Sequence, residues 1–118
     1  MTIVDTGKAL VRNMLMNENP GSLTFLGIGT SSASVQSGDT SLTNEYGETG
    51  TETEPNFNQV MYQIDIATNQ GNGSGTVIYK EVGLSTTSGG ILFNRQVFNP
   101  ITKDNTIAFN VQTVVTVL

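Results

Sequence analysis

The chain has 118 residues, ten carboxylates against five Lys and Arg, a net charge of −5, and no His, Cys or Trp. These absences exclude disulfides, thiolate chemistry, imidazole general-base catalysis and His/Cys zinc sites. The acidic balance argues against nucleic-acid binding, which needs clustered Lys and Arg.

In chain order, residues 5–17 read as a helix. Asp5 or Thr6 can cap it by accepting from the free amides of its first turn. Leu10, Val11, Met14 and Leu15 fall on one apolar stripe, Gly7 lowers the local propensity, and Asn19-Pro20-Gly21 supplies the stop. Residues 23–28 are mostly apolar and read as a buried strand. Gly27-Ile28-Gly29 lacks the third glycine of a dinucleotide fingerprint and reads as a backbone corner.

Residues 29–56 read as a long loop of Ser, Thr, Gly and Glu. It lies within a span, Arg12 to Lys80, that has no intervening base, and it holds Asp39, Glu45, Glu48, Glu52 and Glu54. Its only apolar anchors are Ala33, Val35, Leu42 and Tyr46; the last two, four apart, suggest a short helical turn. A loop this long is expected to be ordered by contact with neighbouring subunits or another protein, the alternative being a self-packed surface loop pinned by Leu42 and Tyr46.

Residues 57–68 read as a strand in which Val60, Tyr62, Ile64 and Ile66 alternate with Met61, Gln63, Asp65 and Ala67. A turn follows, with Asn72-Gly73 its strongest signal, then a return strand over 76–82. A second turn at 85–90 leads to a strand over 91–98, and Pro100 marks an edge or corner. The last strand spans 106–117, with Ile107, Phe109, Val111, Val115 and Val117 directed to the core and Thr113 among them. The whole predicts one domain, mainly β: an antiparallel β-sandwich or half-open barrel with one short N-terminal helix.

Little in this chain points to chemistry. Glu52 and Glu54 have no apolar neighbours to raise a carboxyl pKa and read as solvated acids. Asp39, Glu45 and Glu48 match no calcium-loop spacing. No catalytic residue, metal ligand or cofactor is assigned. Glu81, Arg95 and Lys103 lie in or beside strands, where charges are scarce; Glu81 is placed to pair with Arg95 across neighbouring strands or to fix a subunit contact. With the five loop acids they form the candidate subunit-contact set. Asn72-Gly73-Ser74 matches a glycosylation sequon by chance in a turn. No secretory leader and no apolar run near the ~20 residues of a membrane span is visible, so neither export nor a membrane is expected.

Five phrases recur together: Gly27-Ile28-Gly29-Thr30-Ser31-Ser32 after a short helix, Gly38-Asp39-Thr40-Ser41-Leu42-Thr43-Asn44-Glu45, Glu81-Val82-Gly83-Leu84, Gly89-Gly90-Ile91-Leu92-Phe93-Asn94-Arg95 and Pro100-Ile101-Thr102-Lys103. In these the chain resembles a family of small structural domains of tailed viruses, found in tail-fibre, collar and baseplate-associated proteins and as free-standing virion proteins. The resemblance implies a non-enzymatic, multimeric virion component, made in the host cytoplasm. It would contact itself, as a ring or trimer, and other virion proteins. The absence of a shaft or tip beyond the last strand favours an adaptor, capsid decoration or collar piece over host-receptor binding. A carbohydrate- or receptor-binding β-sandwich is the alternative; three Tyr and five Phe, mostly in core phase, count against it.

Overall fold

The computed structural model describes residues 2–18, 21–86 and 90–118. Among them are one helix, α1 (Asp5–Leu15), and eight strands: β1 (Thr2–Ile3), β2 (Phe25–Gly29), β3 (Tyr46–Thr49), β4 (Thr51–Thr53), β5 (Gln59–Ile66), β6 (Val77–Ser85), β7 (Leu92–Lys103) and β8 (Phe109–Thr116). They form two antiparallel sheets, a five-stranded one in the order β1-β7-β6-β2-β3 and a three-stranded one in the order β4-β5-β8. The sheets pack as a sandwich rather than closing into a barrel.

The chain changes sheets between β3 and β4 at the single residue Gly50, whose N–H donates to the carbonyl of Thr24 at 2.7 Å. That corner joins the sheets at one side. On the opposite side, where β8 and the part of β7 beyond the two-residue β1 form the edges, residues 104–108 make the connection. The core between the sheets follows the period-2 reading: Tyr62, Ile64 and Ile66 of β5 meet Leu26 and Ile28 of β2, Tyr79 and Leu84 of β6 and Phe93 of β7. Leu10 of α1 joins them, and Tyr79 and Phe109 meet edge to face with centroids 6.3 Å apart.

One irregularity sets which side chains face which way. Tyr79 is opposite Ile101, but Glu81 is opposite Val97, so Phe98, Asn99 and Pro100 all lie against Lys80. This bulge shifts the phase of β6 and β7. It leaves Tyr79, Val82 and Leu84 on the core side. It turns Glu81 to the other face, under residues 31–43. Pro100 is accommodated because β1 pairs only with Asn94 and Arg95 on that flank of β7. The expectation of an edge or corner at Pro100 therefore holds, but the strand runs through it to Lys103 instead of stopping at 98.

Several other expectations are corrected. The segment 29–56 is not loop throughout, since β3 and β4 occupy most of 46–53; both are edge strands of three or four residues that bury little, so they carry almost no apolar signal. Tyr46 begins β3 instead of closing a helical turn with Leu42, and Asn44 before it takes a left-handed φ of 47°. Gly27-Ile28-Gly29 forms the last three residues of β2, not a corner. Neither Asp5 nor Thr6 caps α1: the N-cap is Val4, and the Thr6 hydroxyl donates to the carbonyl of Leu92 at 2.7 Å. Of the helical stripe only Leu10 is buried, while Val11, Met14 and Leu15 are exposed. On β8, Phe109, Val111 and Val115 pack on the core, but Ile107 precedes the strand and is exposed, and Val117 is 71% exposed. Asn19, Pro20 and residues 87–89 of the 85–90 turn, with Gly89 of the fourth phrase, lie outside the described residues.

Candidate functional site: a buried ion cluster and an open intersheet cleft

The scarce charges gather on the face of the five-stranded sheet that points away from its partner sheet. Glu81 of β6 is fully buried and Arg95 of β7 is 3% exposed. The Arg95 Nε donates to Glu81 Oε1 at 2.7 Å, its Nη1 to Asp39 Oδ2 at 2.9 Å and its Nη2 to the carbonyl of Ala33 at 2.9 Å. The other Glu81 oxygen accepts the backbone N–H groups of Ser31 and Thr43, each at 2.9 Å. Room for that carboxylate comes from Gly29, its neighbour on β2: a Cβ there would fall 2.5 Å from Glu81 Oε2 and 2.7 Å from the Thr43 carbonyl.

The electrostatics follow from these contacts. Burial pulls the Arg95 pKa down, and the hydrogen bonds and charges of Glu81 and Asp39 more than offset it. The Gln36 N–H, with help from Arg95, holds the Asp39 carboxyl below the usual value of 3.8. Its contribution to stability is therefore present above that pH and lost as acid protonates it in the folded state. The cluster spans Ser31 to Thr43, so it fixes the long segment to the sheet using the chain's own ions. Leu42 adds an apolar pin by packing with Val4 and Leu92.

Lys103 forms a second clamp. It is fully buried at the end of β7, and its three ammonium donors go to Asn72 Oδ1 at 2.7 Å, the Asp104 carbonyl at 2.9 Å and the Thr68 carbonyl at 3.3 Å. It ties the 67–76 turn to the sheet, as Arg95 ties 31–43. Glu81, Arg95 and Lys103, expected among the subunit contacts, are buried in the single chain and clamp its own loops. Asp39 keeps 23% of its side chain exposed but is engaged with Arg95. Glu45 and Glu48 are half-buried, Glu52 and Glu54 exposed; Glu48 accepts from the Tyr46 hydroxyl at 2.8 Å.

On the opposite face, the two sheets diverge at the β7/β8 side and leave an open cleft of about 650 Å³. Ile28, Tyr79 and Val82 form its floor, Phe98 to Ile101 one wall, and Ala108 to Gln112 the other. No Asp, Glu, Lys or Arg lines it. Its polar groups are amides and the Tyr79 hydroxyl, which already donates to the Gly71 carbonyl.

The three tyrosines report on how tightly this interior is closed. Burial raises the pKa of each above 10.0; for Tyr46, with the Glu48 carboxylate adding to it, to about 12. A raised folded-state pKa gives a stability contribution that is complete below pH 10 and fades as pH rises through the folded value. Ultraviolet titration of tyrosinate in the native protein should therefore show little ionisation at pH 10, while the urea-unfolded chain is half ionised there. Coincident titration curves for the two states would contradict the burial described here.

Sequence reasoning found the Glu81–Arg95 pair by the scarcity of charge within strands. It missed Asp39 as the third member, because 56 residues separate it from Arg95. It also missed the cleft, which arises from the divergence of two sheets and has no local signature. The chain matches no established protein family, no curated protein and no solved structure.

Proposed function

We propose that the chain is a non-enzymatic structural component of a tailed-virus particle and acts through protein–protein contact. The observation that carries the contact reading is how charge is distributed. The buried ions are engaged in holding the chain's own loops. The open intersheet cleft presents only apolar, amide and phenol groups, beside the outer edge of β8. Such a surface suits another polypeptide better than a reacting small molecule, because acid–base work needs titratable groups placed in the cleft. The assignment to a virion draws on the resemblance of the five sequence phrases.

The test is direct. Particles from a lysed culture carrying the gene, banded twice and digested for peptide mass spectrometry, should contain the chain in fixed proportion to the other particle proteins. Its absence from intact particles, with the soluble protein present in the lysate, would overturn the virion reading.

A further inference from the structure

The five outer strand edges of the sandwich differ in how they are guarded. β1 is two residues long, and β3 and β4 are short and carry Glu48 and Glu52. The free flank of β7 beyond β1 contains the bulge and Pro100. These are the usual devices that stop one sheet from pairing with another. β8 has none of them. It is eight residues long, holds no charge, Pro or Gly, pairs with β5 in unbroken register, and among the described residues has no partner strand on its other flank. It also forms one wall of the uncharged cleft.

We propose that β8 pairs antiparallel with β8 of a second copy of this chain about a two-fold axis, extending the three-stranded sheet to six strands. This deepens the protein-contact reading and rests on it. Charge favours a second copy as the occupant. A chain of net charge −5 repels its own kind, but this axis sets an uncharged edge against an uncharged edge. At the usual strand spacing the two Asp65 carboxylate strands would lie about 14 Å apart and the two Glu52 strands about 24 Å apart, both beyond the ~8 Å screening length at physiological salt.

The strand is also self-complementary. Centring the axis on Thr113 sets Val111 opposite Val115 and Phe109 opposite Val117. Every core-facing residue keeps its face, because the register preserves the period of two. The pairing also supplies cover for Val117, which is in phase with Val115 yet 71% exposed in the single chain. A two-fold axis makes the contact isologous, so one edge serves both partners.

The test uses the full chain in sedimentation equilibrium with Gln112→Lys/Val114→Lys. Both residues are on the exposed face of β8, and in this register they oppose one another across the axis, so the double variant places Lys against Lys. The wild type should show twice the chain mass at high concentration. The double variant should be monomeric, with the unfolding midpoint that the wild type shows when diluted below its dimerisation range, and Thr53→Lys, on the guarded β4 edge, should leave the dimer intact. A wild type that is monomeric at its highest soluble concentration, or a dimer indifferent to the β8 lysines, would overturn the proposal. Should the double variant fail to fold, amide exchange on the wild type decides: concentrating the protein should slow β8 and leave β3 and β4 unchanged, and equal rates at β8 would reject the pair. A monomeric chain found in particles rejects the two-fold pair and leaves the virion reading standing; a dimer absent from particles does the reverse.

Discussion

Replacing Arg95 with alanine is expected to destabilise the protein by about 3–5 kcal/mol, the range for removing one partner of a buried ion pair. The reason is what stays behind. Glu81 is fully buried, and among the described residues Arg95 is its ionic partner. Without the guanidinium, a carboxylate remains in the interior with only the amides of Ser31 and Thr43 to hold it. Against a total stability on the order of 5–15 kcal/mol, that loss is a large fraction. Urea unfolding gives the magnitude, and amide exchange over 31–43 locates the damage. The double variant Glu81→Gln/Arg95→Met should be less destabilised than Arg95→Ala alone, because it removes the charge that the single variant strands. A loss under about 1 kcal/mol for Arg95→Ala would mean that the pair behaves as an exposed one.

The second large effect is expected from the smallest change, Gly7→Ala. In a free helix this substitution is favourable by about 1 kcal/mol. Here α1 lies so close to β7 that an added Cβ would sit 2.1 Å from the Phe93 carbonyl oxygen and within 2.8 Å of two further backbone atoms of that residue. A backbone cannot rotate out of the way as a side chain can. Relief requires α1 to lift, which strains the Val4 N–H bond to the Phe93 carbonyl and the Thr6 hydroxyl bond to Leu92 and uncovers Leu10. The net result should be a loss on the order of 2 kcal/mol after the propensity gain is deducted. Gly38→Ala, where nothing lies within 4 Å of the new atom, is the control and should be close to neutral. A more stable Gly7→Ala would contradict the docking of the helix.

Gly7 illustrates why parts of this fold were legible in the sequence and parts were not. Apolar spacing located α1 and the core face of β5, where Tyr62, Ile64 and Ile66 are all buried. It valued Gly7 only as a poor helix former, since close approach to another element leaves no local pattern. It ended the strands before Gly83 and Pro100, residues that usually break them; a bulge opposite Lys80 and an unpaired flank let β7 continue. It passed over β3 and β4 because their single apolar residue, Tyr46, gives no alternation to detect. Of the charged residues, Glu81 and Arg95 stood out between the apolar residues of their strands. Lys103 was noticed for the same reason, but its three acceptors come from turns 1 to 35 residues away and could not be read locally. The expectation that 29–56 needs a neighbour to order it missed the cluster because two of its three ions, Glu81 and Arg95, lie far outside the segment they hold.

Charged groups hold the chain together from within, and in the proposed dimer it is uncharged strand edges that meet. The acids in and beside β3 and β4 would give the opposite behaviour if they formed the contact, because screening weakens charge pairing between exposed groups. Sedimentation equilibrium of the wild type from about 0.01 M to about 1 M salt, which shortens the screening length from roughly 30 Å to roughly 3 Å, distinguishes the two. The dimer mass should persist or strengthen as salt rises. Dissociation of the assembly on adding salt would contradict the account and return the contact to Glu45, Glu48, Glu52 and Glu54.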